Sequence, residues 1–269
     1  MSGVGNCESE AMSVWRTEPL VKGVRPVFLF LMVVGAGCVT SLMPNAERHE
    51  SVETERPPRA LSVMEPRLRA LIEEGEALWR QPPVAENTIP CATCHFDPAK
   101  WRGWAASFPK VKPMPPPFTR VMTLQQAVGE SVATHYRIPA GSRIQQVSRA
   151  ITAYLTWVGE GRLLTPGVVA GQPVFPDRMA ALRESVARGE KHVERSCARC
   201  HADPGRFAEA AVTFPRAPRA GASVMTLEEY VEGHRGPAWD TPAAADIAAF
   251  VVTRARGRIL QPGGASKPQ

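Results

Sequence analysis

Four of the six cysteines in the sequence lie in two five-residue motifs of the same type. Residues 91–95 read Cys-Ala-Thr-Cys-His, and residues 197–201 read Cys-Ala-Arg-Cys-His. Two thiols three residues apart can form thioether bonds with the two vinyl groups on one edge of a porphyrin, and the histidine that follows can bind the iron. The C-x-x-C-H motif is therefore typical of covalent c-type haem attachment.

We predict two covalently attached haem c groups, one for each motif. We expect the thioether bonds to be formed by the four cysteines Cys91, Cys94, Cys197 and Cys200. The proximal iron ligands are the two histidines that follow them, His95 and His201. A thioredoxin-like redox pair or a zinc half-site is the alternative, but neither requires the histidine or predicts a second copy.

The two motifs belong to a longer internal repeat with an offset of 106 residues. Nine of twenty positions are identical between residues 91–110 and 197–216, including a Phe-Pro pair. The sequence Val-Met-Thr-Leu then occurs at residues 121–124 and again at 224–227. A repeat of this kind predicts two structural units, each with one haem motif.

Each unit is predicted to open and close with a helix. Apolar residues have the helical period in the two opening helices, at Leu68, Leu71, Ile72, Leu78 and Trp79 in the first and at Met179, Leu182 and Val186 in the second. The closing helices show this period over residues 144–158 and 247–251, with Ser142 and the Thr241-Pro242 pair as their expected starts. Units of this size have small protein cores, so we expect the porphyrin to supply much of the apolar contact.

A middle helix in each unit is predicted from its capping box. Residues 123–126 have Thr followed three residues later by Gln, and residues 226–229 have Thr followed by Glu. Both helices should stop at proline and glycine, in Ile-Pro-Ala-Gly at 138–141 and Gly-Pro at 236–237.

Each middle helix carries the candidate for the second axial iron ligand. His135 lies eleven residues after Leu124, and His234 lies seven residues after Leu227. At 100° per residue, each histidine falls within about 20° of its leucine's helical face. We predict His234 as the distal ligand of the second haem and His135 as that of the first, although a lone histidine at a helix end is more often a surface residue.

Met114 is the alternative to His135, because class I cytochromes c often present a distal methionine in a Met-Pro loop. It has no counterpart in the second repeat. Five aromatic residues are expected to pack against haem: Trp101, Trp104, Phe108, Phe207 and Phe214. We expect His192 to lie on the surface.

The N-terminal sequence predicts export. Lys22 and Arg25 precede a ten-residue apolar run, residues 27–36, which is too short to span a bilayer and resembles a signal-peptide core. The run ends in small residues before Cys38, as in bacterial lipoprotein signals. We expect a lipid anchor at Cys38 on the periplasmic side of the membrane; ordinary cleavage or an uncleaved anchor is the alternative.

The composition is that of an ordinary globular chain of 269 residues, with 44% hydrophobic and 22% charged residues. Its 26 prolines and few alternating strand patterns favour helices joined by irregular connections over sheet. The net charge of +6 comes from scattered residues, so nucleic acid is not an expected partner.

The fold class is therefore predicted as all-α, with two tandem cytochrome c-like haem domains related by internal repeat. The predicted parts are a signal peptide of lipoprotein type (1–38), a flexible tether (39–64), a first domain (65–164), a linker (165–178), a second domain (179–261) and a tail (262–269).

The order of these motifs resembles the SoxA-type dihaem cytochromes of bacterial thiosulfate oxidation and their thiosulfate dehydrogenase relatives. The resemblance covers about residues 65–261. In that family a cysteine seven residues after the helix leucine ligates the catalytic haem. This chain has Ser131 and His234 at those positions, so the resemblance implies the architecture and not the sulfur ligand.

We expect an exported dihaem cytochrome that transfers single electrons between redox partner proteins, with no catalytic residue assigned. The alternative is a thiosulfate-oxidising or peroxidase-type enzyme with one reactive haem, and Ser131 marks where a vacant iron position would lie.

Overall fold

The computed structural model describes residues 57–83, 88–112, 120–139, 141–201, 203, 205–234 and 236–264. All of them belong to one unit, Ser51–Gln269. The predicted signal peptide with Cys38, most of the predicted tether and the candidate ligand Met114 lie outside the described residues.

The described chain is mostly helical, and we divide its helices between an N-terminal segment (residues 57–164) and a C-terminal segment (residues 176–264). The N-terminal segment contains α1 (Pro66–Arg80), α2 (Cys91–Cys94), α3 (Pro98–Trp101), α4 (Trp104–Ser107), α5 (Leu124–His135) and α6 (Ser142–Val158). The C-terminal segment contains α7 (Pro176–Ser196), α8 (Gly205–Thr213), α9 (Leu227–Gly233) and α10 (Pro242–Arg254). Helix α7 begins three residues before the predicted domain start at 179 because Pro176 initiates it.

A glycine lets the first and last helices of each segment cross in backbone contact. A Cβ atom on Gly75 of α1 would lie 2.0 Å from the carbonyl oxygen of Ala150 on α6, and one on Gly189 of α7 would lie 1.9 Å from that of Asp246 on α10. Glycine costs a helix interior about 1 kcal/mol relative to alanine. These two positions have a packing reason for it, since no side chain fits there.

Both predicted capping boxes are present at the starts of α5 and α9. The side chains of Thr123 and Thr226 each accept a hydrogen bond from the backbone N–H three residues later. The side chains of Gln126 and Glu229 in turn accept a hydrogen bond from the backbone N–H of the threonine. Thr241 caps α10 as predicted. Ser142 does not cap α6, because Gly141, with φ +134°, occupies the cap position and Ser142 is the first helical residue.

A small antiparallel ladder precedes α5, which the sequence analysis missed. Strand β1 (Lys110–Lys112) pairs with β2 (Arg120–Met122), and Lys110 lies opposite Met122. A single antiparallel bridge joins Arg216 and Met225 at the corresponding place in the C-terminal segment. Strands of three residues are too short to show the alternation on which strand prediction depends.

The two segments share one continuous hydrophobic core and a buried polar contact between the capping boxes. Gln125 donates a hydrogen bond to Glu229 across the segments and accepts one from Thr226, and Arg149 forms an ion pair of 2.7 Å with the same Glu229 carboxylate. The structure is all-α as predicted, while the division into two domains stays a prediction. No helix in the described part of the chain combines the length and the apolar composition that crossing a membrane requires.

Candidate functional site

The first haem motif lies on the wall of a cavity of about 360 Å³ in the N-terminal segment, here called cavity 1. Cys91, Cys94 and His95 line it from α2 and the following residue. Most other lining residues are apolar and come from the neighbouring helices, among them Trp79, Trp104, Phe108, Leu124, Val128, Val132, Ile151 and Leu155.

His135, the predicted distal ligand, lines the same cavity from the last residue of α5. Burial lowers the pKa of His95, and the positive charge of His135 lowers it further. The two imidazoles are therefore within electrostatic range of each other. The ring of His95 also lies edge-on to Trp104, with 4.8 Å between ring centroids.

Tyr136 holds the first attachment cysteine in place. Its hydroxyl oxygen lies 3.1 Å from the Cys91 sulfur and donates a 2.6 Å hydrogen bond to the carbonyl of Leu78 at the end of α1. Because that bond uses the hydroxyl proton, the Cys91 thiol is the donor in the other contact. Burial raises the pKa of the Cys91 thiol, which favours its neutral form.

The second haem motif lies on the wall of a larger cavity of about 730 Å³ in the C-terminal segment, here called cavity 2. Cys197 and His201 line it, and so does the predicted distal ligand His234. Cys200 lies one turn after Cys197 and is exposed, and its backbone N–H donates a hydrogen bond to the carbonyl of Cys197. The remaining lining includes Val193, Phe207, Leu227, Tyr230, Ile247 and Val251.

The imidazole of His234 is oriented by the helix that it terminates. Its Nδ1 lies 2.9 Å from the carbonyl oxygen of Tyr230, and its ring packs on the Tyr230 ring with 4.1 Å between centroids. Since a carbonyl can only accept, this hydrogen bond requires a proton on Nδ1, and in the neutral imidazole the lone pair is then on Nε2. This is the arrangement commonly found for metal-binding histidines.

The prediction that His192 lies on the surface is wrong, since this residue is half-buried and lines cavity 2. Two of the five aromatic residues expected at haem line neither cavity 1 nor cavity 2. Trp101 packs behind His95, where its indole N–H donates to the His95 carbonyl. Phe214 lines a small cavity between the segments and contacts Tyr230, whereas Trp104, Phe108 and Phe207 do line the two larger cavities.

Four cations at the cavities were missed by the sequence analysis. Lys110 and Lys112 line cavity 1, and Arg206 and Arg216 line cavity 2. The signal was present in the repeat, since Lys110 and Arg216 both follow the shared Phe-Pro pair. Only the fold shows that this pair turns the next side chain into a cavity.

Ser131 also lines cavity 1. Its hydroxyl donates to the carbonyl of Ala127 and lies 3.4 Å from the amino group of Lys112. A serine hydroxyl is a weak iron ligand, and here it is engaged in the helix.

The residues of both cavities fit a haem c group. Each cavity is lined by at least one attachment cysteine, by the motif histidine and the predicted distal histidine, and by mostly apolar side chains, with His192 as a third histidine in cavity 2. Both volumes fall within the range of small-molecule sites, roughly 300 to 1,000 Å³. No group of three or more His, Cys, Asp or Glu side chains in the described ranges could hold a bare metal ion. The paired histidines suit an iron whose other ligands come from a porphyrin.

A comparison with solved structures gives a neighbour of the same fold. The chain is similar to SoxXA from P. pantotrophus, a c-type cytochrome complex, with a TM-score of 0.52 and 16% sequence identity over 72% of this chain and 76% of that one. The fold is cytochrome c-like. No protein-family model matches the sequence, and the search of curated proteins finds no match. At this identity the likeness supports the fold only.

Proposed function

We propose that this chain is an exported dihaem c-type cytochrome that passes single electrons between redox partner proteins. One observation carries the proposal: each of two separate cavities is lined by a cysteine and the histidine of its own C-x-x-C-H motif and by the predicted distal histidine. The sequence repeat and the cytochrome c-like fold support it.

The proposed ligand sets follow from the cavity walls. In cavity 1, Cys91 and Cys94 would attach the haem, and His95 and His135 would bind its iron. The corresponding residues of cavity 2 are Cys197, Cys200, His201 and His234. When bound, a haem supplies an iron that alternates between the ferric and ferrous states.

The protein's contribution to electron transfer is to exclude water and to hold the ligands still. Apolar helices surround both cavities, which limits solvent reorganisation around a charge that changes by one unit. Cys94 and Cys200 are exposed. The attached edge of each haem would therefore lie near the surface, where a partner protein can approach.

The attachment can be tested on protein produced in a host with c-type haem maturation. We expect the intact mass of denatured protein to include two haems and acidified organic solvent to extract none. The double variant Cys197→Ala/Cys200→Ala should retain one haem, held by the N-terminal motif. The reciprocal double variant Cys91→Ala/Cys94→Ala should likewise retain one haem, held by the C-terminal motif. Release of haem from wild-type protein into the solvent contradicts the proposal.

A second candidate function is a SoxA-like thiosulfate-oxidising or peroxidase-type enzyme with one reactive haem. The observation that favours it is the polar side of cavity 1, where Ser131 and Lys112 stand together and His135 is exposed. Carbon monoxide distinguishes the two functions. Reduced protein with both irons closed by histidines should not bind it, whereas an enzyme with a vacant iron position should.

The proposed location rests on the N-terminal sequence. We propose that the mature chain begins at an acylated Cys38 and is tethered on the periplasmic side of the membrane. We expect it to fractionate with membranes until detergent is added. Mass spectrometry that finds another, unmodified N-terminal residue contradicts the lipid anchor and leaves the haem proposal intact.

A further inference from the structure

Two half-buried cations face the cavities without an anionic partner. Lys110 lines cavity 1 and Arg216 lines cavity 2. Among the described residues, neither side chain forms an ion pair, although Arg59, Arg120, Arg149 and Arg188 do. A cation withdrawn from water without a counter-ion is costly, so its position needs a reason.

The backbone fixes both cations in equivalent positions. Each cation directly follows a Phe-Pro pair. Each is also paired in an antiparallel bridge with a methionine that lies just before a middle helix: Lys110 with Met122, before α5, and Arg216 with Met225, before α9. The N–H groups of Arg216 and Met225 donate to each other's carbonyl at 3.0 to 3.1 Å. Each cation is therefore positioned relative to the helix that carries the proposed distal ligand.

The surroundings of Lys110 leave its charge uncompensated. Its amino group donates a 2.9 Å hydrogen bond to the Ser107 hydroxyl and lies 4.4 Å from the centroid of the Phe108 ring. Both contacts are with neutral groups. Burial lowers the pKa of Lys110 to about 8, which is the expected direction for an ammonium group that lacks an anion.

The surroundings of Arg216 show the same deficit. Its guanidinium carbon lies 4.9 Å from the centroid of the Phe214 ring, and its Nε is buried without a hydrogen-bond partner. An arginine presents its N–H groups in a planar fork that suits a carboxylate. Glu209 also lines cavity 2, but it forms no ion pair with Arg216, so the guanidinium has no anionic partner among the described residues.

We propose that Lys110 and Arg216 bind the propionate carboxylates of the haems in cavity 1 and cavity 2, respectively. The inference rests on the proposed function, because a haem c carries two propionates and is the anion that the cavity would receive. It assigns to each Phe-Pro-Lys or Phe-Pro-Arg sequence the role of positioning a haem through its carboxylates.

Lys110 and Arg216, if they bind the propionates, influence the reduction potentials of the haems in cavity 1 and cavity 2. A cation beside a propionate compensates its negative charge, and an uncompensated carboxylate favours the ferric over the ferrous iron. Removal of one cation should therefore lower the potential of the haem in its own cavity and leave the other almost unchanged. A variant of Lys110 should therefore change only the potential of the haem in cavity 1, and a variant of Arg216 only that of the haem in cavity 2.

The test uses the dihaem holoprotein and a redox titration of each haem. In Arg216→Met we expect the one-electron equilibrium of haem 2 to shift about tenfold toward the ferric state, equivalent to about 59 mV. Lys110→Met should shift haem 1 in the same direction. Arg216→Lys should keep most of the wild-type potential. Arg219→Met removes an equal charge from an exposed position of the same loop and is the matched control.

A second readout follows the carboxylates directly. Redox-difference infrared spectra of protein with ¹³C-labelled propionates should show a shifted carboxylate band in Arg216→Met, and also in Arg216→Lys, where a two-point contact becomes a single one. If the methionine variant fails to accumulate, the band of the lysine variant decides the question. An inorganic anion bound by Arg216 instead would leave the labelled band unchanged and make the potential depend on anion concentration.

The results separate this inference from the function on which it rests. Wild-type protein without covalent haem overturns the proposed function. Holoprotein with two covalent haems, in which the Lys110 and Arg216 variants change neither the potentials nor the labelled bands, overturns this inference alone.

Discussion

Cavity 1 and cavity 2 share a scaffold but differ in how they present the second histidine. The segment around each cavity has a haem motif, a helix crossing at a glycine and a capping box that starts the middle helix. In cavity 2, the seventh residue after the helix leucine is His234, which is held by the Tyr230 carbonyl. In cavity 1, the seventh residue is Ser131. His135 follows one helical turn later, and its imidazole forms no hydrogen bond with a described residue.

This comparison distinguishes features that the fold requires, which both segments share, from the position of the second histidine, which differs between the two cavities. The helix crossings and helix starts are the same in both segments because packing depends on them. The distal histidines differ in spacing and support. We therefore expect the proposed iron in cavity 2 to be firmly six-coordinate and the one in cavity 1 to lose its distal ligand more readily.

The largest effects should come from the shared helix crossings. Gly75→Ala and Gly189→Ala each place a Cβ within about 2 Å of a carbonyl oxygen, so either change should destabilise the fold by about 3 kcal/mol or more. Thermal unfolding of holoprotein measures this loss. Gly103→Ala, where the new Cβ meets nothing within 4 Å, should change little. Tolerance of alanine at one crossing alone would show that the segments are not built alike.

The distal histidines should give the next largest effects. Removal of His234 in His234→Gly opens the iron of cavity 2, so reduced protein should gain carbon monoxide binding at one haem. His135→Gly should do the same for cavity 1. Added imidazole should restore a low-spin spectrum in both variants. If His135→Gly leaves the spectrum and ligand binding of wild-type protein, His135 is not a ligand.

Loss of the Tyr136 contact with Cys91 should lower the stability less than these changes do, and only in the N-terminal segment. Tyr136→Phe removes the hydroxyl that contacts Cys91 and the carbonyl of Leu78, which should cost about 1 kcal/mol of stability. The measurement is thermal unfolding together with the haem content at each motif. Loss of haem from the C-terminal motif in this variant contradicts a local role.

The smallest effect should come from Tyr230→Phe. The group that orients His234 is the backbone carbonyl of residue 230, and phenylalanine keeps both this carbonyl and the stacked ring. We expect the potential and spectrum of haem 2 to be unchanged. A clear shift in potential would show that the Tyr230 hydroxyl, and not the carbonyl, matters to this haem.

The sequence predicted the helices and the helix positions of the candidate histidines better than it predicted the other residues of the cavity walls. Thr123 and Thr226 mark their helix starts through local hydrogen bonds, and local patterns are visible in a sequence. The proposed distal histidines could be placed on a helix face by counting from Leu124 and Leu227. Their presence in the same cavities as the haem motifs agrees with that placement.

What the sequence did not predict depends on contacts between distant residues. The inward position of Arg216 follows from its pairing with Met225, and a bridge of one residue pair leaves no periodic pattern. Tyr136 reaches Leu78 over 58 positions in the chain. The contact of Gln125 with Glu229 joins the two segments, so a reading of either repeat alone could not reveal it.

The central claim, two haems that each have two histidine ligands, is tested most directly by the spectrum of oxidised protein. Electron paramagnetic resonance with near-infrared spectroscopy reports the spin state and the axial ligands together. We predict two low-spin irons without the far-red band of methionine-to-iron charge transfer. A methionine band that Met114→Ala abolishes and His135→Ala leaves intact, or a high-spin signal in wild-type protein, contradicts the account.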